Sequence, residues 1–520
     1  MKKIKVFALL ATLFVGIFSN LFTPVVSAEE TPGSATVTIH KLKNKTGPIV
    51  NTGSVLSGYT ASDFLDGITY NVYDVTAAYH AKYNEAYTST DAQAADNAAR
   101  DHVQGTAGHA PTVVPGATLV GTETTAGGGA ATFTLPKKSG GKDAVYVFVE
   151  QPKTGITKAE NNLVLSFPVY QLNGDGTYTD TELSTIHLYP KNTTETITPV
   201  KDITTPNADT AGHNNYNVGK EIGFKLSTVI PANIGIKEVD GVRPHYNTFG
   251  LIDTHDTTLT FDPAGTHKLE VAGTSIVLTE GETADYTIVV GEPAPAEGKA
   301  TFKVKLTQDG INELAEQGGK TLEFTYTMKL NDTAVMDTKN VNQVTVEYGR
   351  KTETFNDVVT TPGNEKEVYT GGYRFIKTDV STNKPLAGAT FVVRDAASAG
   401  KYLKIDDTTK EISWVTSDAD ATKFTTGDKG IVDIKGLTYG TYYLEETQAP
   451  TDYVKLTERI AFTVAFDSYN TTTTTPHNVA NTPKGFLPST GGAGIILFVA
   501  LGVAMVGLAG VYFTSRRKDA

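Results

Sequence analysis

Gln343-Val344-Thr345-Val346-Glu347-Tyr348 alternates polar and apolar side chains, so an extended chain here has one wet face and one dry face. β-Branched and aromatic residues fill the dry positions, which favours a strand over a helix. Related runs occur at Ala35-Thr36-Val37-Thr38-Ile39-His40, Tyr146-Val147-Phe148-Val149 and Thr321-Leu322-Glu323-Phe324-Thr325-Tyr326. Turn clusters such as Asn173-Gly174-Asp175-Gly176 lie between runs of this kind. Repeated over hundreds of residues, the pattern predicts an all-β chain of three tandem immunoglobulin-like β-sandwich domains. Composition shifts at Thr196-Ile197-Thr198-Pro199 and across Lys351 to Thr370, read as a connector, place the domains at 30–197, 198–350 and 368–484. Two segments break the pattern. The Ala-rich stretch from Val75 to about Arg100 predicts a small helical insert in the first domain, and Gln308 to Glu316 predicts a short helix. The threonine run Thr471 to Thr475 reads as a hairpin loop, with Ile460–Ala465 and His477–Asn481 as its paired strands.

The ends of the chain set its compartment. Lys2, Lys3 and Lys5 precede an apolar run to about Phe18, and Val26-Ser27-Ala28 supplies the small residues of a cleavage site, so residues 1–28 read as a secretory signal. Ala493 to Phe513 is apolar and uncharged, about the twenty residues that cross a bilayer, and is followed by Arg516, Arg517 and Lys518. The residues between these signals are therefore expected outside the cell. The chain nevertheless contains no cysteine, so disulfides do not brace it there. A net charge of −12, from 45 basic and 57 acidic residues, is spread without long acidic runs and argues against nucleic acid as a partner.

Leu487-Pro488-Ser489-Thr490-Gly491 stands directly before the apolar segment and basic tail. This three-part order resembles the LPXTG cell-wall sorting signal of Gram-positive surface proteins. The resemblance implies sortase cleavage between Thr490 and Gly491 and attachment to peptidoglycan, the apolar span holding the substrate at the membrane meanwhile.

In the third domain, Lys377-Thr378-Asp379 and Lys384-Pro385-Leu386-Ala387-Gly388-Ala389-Thr390-Phe391 come early, Tyr443-Leu444-Glu445-Glu446-Thr447-Gln448-Ala449-Pro450 and Tyr453 come late, and Asn481 lies in the last predicted strand. The set resembles the collagen-adhesin B-type (CnaB) domain with its E-box. That resemblance implies an intramolecular isopeptide bond from Lys377 to Asn481, with Glu446 as catalytic acid. The middle domain has Val200-Lys201-Asp202, Leu251-Ile252-Asp253-Thr254 and Asn342 directly before the opening strand, and resembles the A-type (CnaA) version. Lys201 and Asn342 are the implied pair; Asp253 is the preferred acid, with Glu221 and Asp256 as alternatives and Asn340 as the competitor of Asn342. The first domain offers Val37-Thr38-Ile39-His40-Lys41-Leu42 and a degenerate E-box at Tyr146-Val147-Phe148-Val149-Glu150-Gln151-Pro152. By the same resemblance Lys41 joins Asn192, with Glu150 as acid.

Physical chemistry supplies a reason for such triads. Desolvation lowers the pKa of a buried lysine toward the neutral, nucleophilic amine, and a carboxyl in the same pocket is expected to stay protonated, polarise the amide and shuttle protons as ammonia leaves. No cofactor and no metal is needed. Tyr189-Pro190-Lys191-Asn192 has the opposite requirement. It resembles the pilin motif of sortase-assembled pili, which implies that Lys191 takes the acyl group of Thr490 from the next subunit. Lys191 must then be accessible, and Pro190, which has no backbone donor, points to a strand edge.

Together these resemblances imply a backbone (major) pilin, a structural subunit and not an enzyme, secreted and wall-anchored. Its implied partners are a pilin-class sortase, a housekeeping sortase, further copies of itself and peptidoglycan, with ancillary pilins and host surface ligands as additional candidates. A monomeric wall-anchored adhesin or a minor or tip pilin is the alternative. Two motifs are set aside: Asp379-Val380-Ser381-Thr382-Asn383 reads as turn chemistry, not an adhesive metal site, and Asn173 to Thr181 lacks the later glutamate of a calcium loop and reads as a hairpin.

Overall fold

The computed structural model describes residues 33–87, 91–105, 114, 116–235, 246–353, 355–469, 475–485 and 493–516. The signal segment and the LPSTG pentapeptide lie outside them. The chain divides into two compact units, one of residues 1–197, 231–248 and 348–359, the other of the remainder.

In the first unit a three-stranded sheet, Thr185–Leu188, Ser34–His40 and Ala130–Pro136, faces a four-stranded one, Leu163–Ser166, Val145–Glu150, Thr69–Asp74 and Thr118–Thr124. Val37, Ile39, Tyr70, Val72, Phe133, Tyr146 and Phe148 share their core. Every residue of Val145–Glu150 is buried. The reason is that both faces are covered: Tyr146 and Phe148 enter the sandwich core, while Val145, Val147 and Val149 pack with Val75, Tyr79, Ala99 and Val103 of the helical insert. That insert is two helices, Thr76–Ala86 and Ala92–Gln104, and not one; Asp91 caps the second by accepting from the Ala94 amide at 2.8 Å. Asn173 to Thr181 forms the turn and part of the second strand of a hairpin, Tyr170–Leu172 with Tyr178–Glu182.

The second unit contains two further pairs of sheets. In one pair, Val200–Ile203 and Glu221–Val229 lead into Thr321–Leu330, while Thr248–Asp256 lies between Asn340–Lys351 and Lys299–Leu306. The short helix runs Gln308–Glu313, capped by Thr307. In the other, Gly371–Asp379 lies between Ile431–Leu437 and His477–Asn481, opposite the sheet containing Thr390–Arg394, Gly440–Gln448 and Ile460–Val464. Phe375, Phe391, Val393, Leu444, Phe462 and Val479 meet between those sheets.

Two expectations are corrected. The stretch read as a connector is largely one long strand, Asn356–Tyr369. Its Pro-Gly pair lies within that strand, and position 363 has room only for glycine because the chain passes hard against Pro199: a Cβ on Gly363 would lie 2.1 Å from the Pro199 carbonyl oxygen. Ile460–Val464 and His477–Asn481 do not pair with each other. The former joins Gly440–Gln448 antiparallel and the latter joins Gly371–Asp379 in parallel. Crossing to the other sheet brings the last strand alongside Lys377.

Candidate functional site

Strand parity delivers the third-domain residues to one place. Tyr442, Leu444 and Glu446 face inward on Gly440–Gln448, and Phe375 and Lys377 face inward on Gly371–Asp379. Parallel pairing sets Asp379 against Asn481, so Asn481 arrives on the face that carries Lys377. Lys377 Nζ donates to Asn481 Oδ1 and lies 3.3 Å from Glu446 Oε1. The Asn481 amide nitrogen donates to both Glu446 oxygens, at 3.0 and 3.1 Å, and the Leu456 backbone amide steadies Glu446 at 2.7 Å. The side chains of Lys377 and Glu446 are wholly enclosed. Burial draws the Lys377 ammonium below its ordinary pKa, with Glu446 opposing the shift. Asp379 forms the expected turn, accepting from the Ser381 and Thr382 amides.

In the middle domain Lys201 Nζ lies 2.5 Å from both Asp253 Oδ2 and Asn342 Oδ1, and the Lys201 and Asp253 side chains have no solvent-exposed surface. Asn342 is inside the strand Asn340–Lys351, not before it, and shares the buried face with Asn340. Asn340 is spent on backbone carbonyls, those of Thr338 and Val368. Of the other acids weighed, Glu221 is exposed, and Asp256 pairs with Lys299 at 2.7 Å and accepts from the Val341 amide. Tyr326 donates its hydroxyl hydrogen to Asp253 Oδ2, and His255 Nδ1 donates to Asp253 Oδ1 at 2.7 Å. Burial pulls the Lys201 ammonium down to about 8 despite the opposing charge of Asp253. Burial pushes Asp253 the other way, but the Lys201 charge and His255 outweigh it and hold the carboxyl below its usual range. The carboxyl expected to be protonated is therefore favoured in its ionised form, because the Lys201 charge and His255 outweigh the cost of burial.

The first domain assembles a third set. Register places Tyr70 opposite Glu150. Glu150 accepts from Lys41 Nζ at 2.5 Å, from the Tyr70 hydroxyl at 3.1 Å and from Asn192 Nδ2. Lys41 and Asn192 are buried, and burial is again the main force lowering the lysine pKa. The amide oxygen of Asn192 is buried with no hydrogen-bond partner among the described residues.

Asn192 and Lys191 are adjacent in the strand Lys191–Thr194, so strand alternation sends one inward and the other out. The Lys191 side chain is 22 % exposed, donating to the Gly47 carbonyl and standing 3.8 Å from Glu160. Its strand is not the expected edge: it lies between Leu42–Lys43 and Ile156–Lys158. Access survives because Ile156–Lys158 pairs only with Thr193 and Thr194, leaving the flank at Lys191 uncovered by that strand. Tyr189 is buried, stacked on His40 at 4.7 Å between ring centres.

Family models match three stretches: the N-terminal domain D1 of Gram-positive pilin subunits over residues 32–193, the SpaA prealbumin-like fold domain over 371–478, and the LPXTG cell-wall anchor motif over 481–520. The chain carries the domains of a Gram-positive pilin. Among its relatives, the trypsin-resistant surface T6 protein of Streptococcus pyogenes serotype M6 is 28 % identical over 212 residues, covering 31 % of the pilin and 39 % of the relative's length. The full-length pilus protein RrgB of Streptococcus pneumoniae shares the fold, with a TM-score of 0.53 at 18 % identity over 88 % of the pilin and 99 % of that chain. The major pilin SpaA of Corynebacterium diphtheriae aligns over 86 % of the pilin and 100 % of its own chain, at 18 % identity and a TM-score of 0.48. The pilin's anchor segment is helical, Ala493–Arg516, and long and apolar enough to cross a membrane.

Sequence reasoning missed Tyr70, Tyr326 and His255. His255 carried a faint signal, lying two residues beyond Asp253 and so on the same face of the strand. The tyrosines looked like ordinary core residues.

Proposed function

We propose that this pilin is the backbone subunit of a pilus shaft, polymerised by a pilin-class sortase through an amide from Lys191 to Thr490 of the next copy. A housekeeping sortase would finally transfer the fibre to peptidoglycan. The observation that carries the proposal is the pair Lys191 and Asn192: one strand offers a partly exposed amine and, at the next residue, a buried amide to the acid Glu150, which also holds Lys41. Position thus separates an enzyme-dependent linkage from a spontaneous one.

Within each domain the buried triad closes an intramolecular isopeptide bond: Lys377 to Asn481, Lys201 to Asn342 and Lys41 to Asn192. The acid in each, Glu446, Asp253 or Glu150, takes a proton from the lysine. The freed amine attacks the asparagine Cγ, the acid returns its proton to the departing nitrogen, and the amine's surplus proton leaves with that nitrogen as an ammonium ion. In chain order, tension entering at Lys191 and leaving at Thr490 meets Lys201, Asn342, Lys377 and Asn481. Each covalent bond shunts force past the sheets it spans, and no reductant cleaves it.

The deciding experiment is peptide mapping of wall-extracted polymer. Thr490 joined to Lys191 is the expected species; Thr490 on another lysine would overturn the assignment. Boiling the extract in denaturant separates this reading from that of a monomeric wall-anchored adhesin, which would run as a single species instead of a high-mass ladder.

A further inference from the structure

The three triads differ in how the acid reaches the amide nitrogen that must depart. In the third domain Asn481 Nδ2 donates straight to Glu446, and in the first Asn192 Nδ2 donates straight to Glu150. In the middle domain Asn342 Nδ2 instead donates to the Tyr326 hydroxyl at 3.3 Å and to Met328 Sδ at 3.2 Å. Tyr326 in turn donates to Asp253 Oδ2, the oxygen that also accepts from Lys201. The phenol therefore bridges acid and leaving group. Tyr70 occupies no such place, because the first domain's amide already touches its acid.

We propose that Tyr326 is a catalytic residue of the middle domain, relaying a proton from Asp253 to the departing nitrogen of Asn342. This rests on the reading of Lys201 and Asn342 as a bond-forming pair. Lys201 first passes a proton to Asp253, giving amine and acid. The amine attacks Cγ of Asn342, forming the new C–N bond, and its surplus proton moves to the oxyanion formed at Oδ1, from which the departing ammonia takes it as the carbonyl re-forms. As the Cγ–Nδ2 bond breaks, Tyr326 gives its hydroxyl proton to Nδ2 and takes the proton of Asp253, ending as a neutral phenol. The sum is one ammonium and one amide turned into one secondary amide and one ammonium ion, with charge and hydrogens conserved. The phenol is suited to remaining protonated at rest, since burial and the neighbouring carboxylate push it well above its ordinary pKa.

The test follows the Lys201–Asn342 cross-linked peptide in newly made full chain, purified in detergent from a host lacking sortase. Tyr326→Phe keeps the ring and removes the relay; the bond should form roughly a hundredfold more slowly, the scale of a lost general acid. Thr325→Ala, on the outward face of the same strand, should match the parent. The Lys377–Asn481 peptide in the same molecules reports that the chain has folded. Equal rates in Tyr326→Phe and parent overturn the relay and leave the bond standing. A parent chain without the Lys201–Asn342 peptide overturns the bond itself. Should Tyr326→Phe fail to fold, 3-fluorotyrosine at the same position preserves packing while making the phenol more acidic. A faster reaction then supports the relay, and an unchanged rate overturns it.

Discussion

Lys191 leaves 22 % of its side chain open to solvent, while Lys201, a short distance further along the chain, leaves none. The first is a partly exposed amine that donates to the Gly47 carbonyl and that a partner molecule can approach. The second is held at 2.5 Å from both a carboxylate and an amide, with burial pulling its pKa toward 8. Burial therefore acts twice: it makes the amine a better nucleophile, and it sets that amine against the Asn342 amide with solvent excluded. Exposure does the reverse, which suits Lys191 to the proposed role of accepting an acyl group that an enzyme has already activated.

Lys191→Arg should break that contrast most severely. The guanidinium keeps the charge but offers no ordinary amine nucleophile, so the SDS-resistant ladder should vanish on immunoblots. Intact mass should still fall below the sequence mass by about 17 Da per internal bond, one ammonia for each proton-assisted attack. A ladder in the variant would place the intermolecular link elsewhere.

Removing an acid tests the buried side of the comparison. Asp253→Ala should restore one ammonia of mass and abolish the Lys201–Asn342 peptide. Loss of a cross-link closing so long a loop should cost about 4–5 kcal/mol if disulfide loop entropy carries over, lowering Tm on the order of 10 °C. Glu446→Ala should do the same for Lys377 and Asn481, leaving the middle bond intact; a surviving Lys377–Asn481 peptide would show that Glu446 is not the acid.

A subtler result is expected from pH. Lys201 is lowered to about 8 and Asp253 lies below its ordinary range, so between those limits the pair holds one more proton than the doubly deprotonated state. That proton is the one passed to the acid and on to the leaving nitrogen. Bond formation should accordingly be flat through neutral pH and decline as pH rises through about 8, where the proton is lost. It should decline on the acid side only below the usual carboxylate range. A rate that climbs through pH 8 in a time course of cross-linked peptide would make the deprotonated amine the reacting form.

The smallest effect belongs to Glu160, 3.8 Å from Lys191 and itself 43 % exposed. A partly exposed pair of this kind contributes about 0–1 kcal/mol, so Glu160→Gln should leave ladder intensity within roughly a factor of two. A larger loss would show that the carboxylate orients the amine for the sortase.

Much of this was legible from residue order. Period-two alternation located strands such as Ser34–His40 and Thr321–Leu330, whereas the lysine and asparagine partners came from the resemblance to CnaA and CnaB domains. The helical insert was visible as composition, but its division into two helices was not. The Pro362-Gly363 pair read as a break and proved to be extended strand, where Pro199 and Val344 leave no room for a side chain at the glycine.

The chain alone settled which chemistry was available, because the kind of side chain and the parity of a strand are local properties: Lys191 and Asn192 must point opposite ways wherever that strand lies. Tertiary structure alone decided which groups meet. Tyr326 reaches Asn342 and Asp253 through contacts across strands distant in sequence, and the charge of Asp253 follows from the cation packed against it. Proton positions depend on neighbours a few ångströms away in space, and nothing in linear order states who those neighbours are.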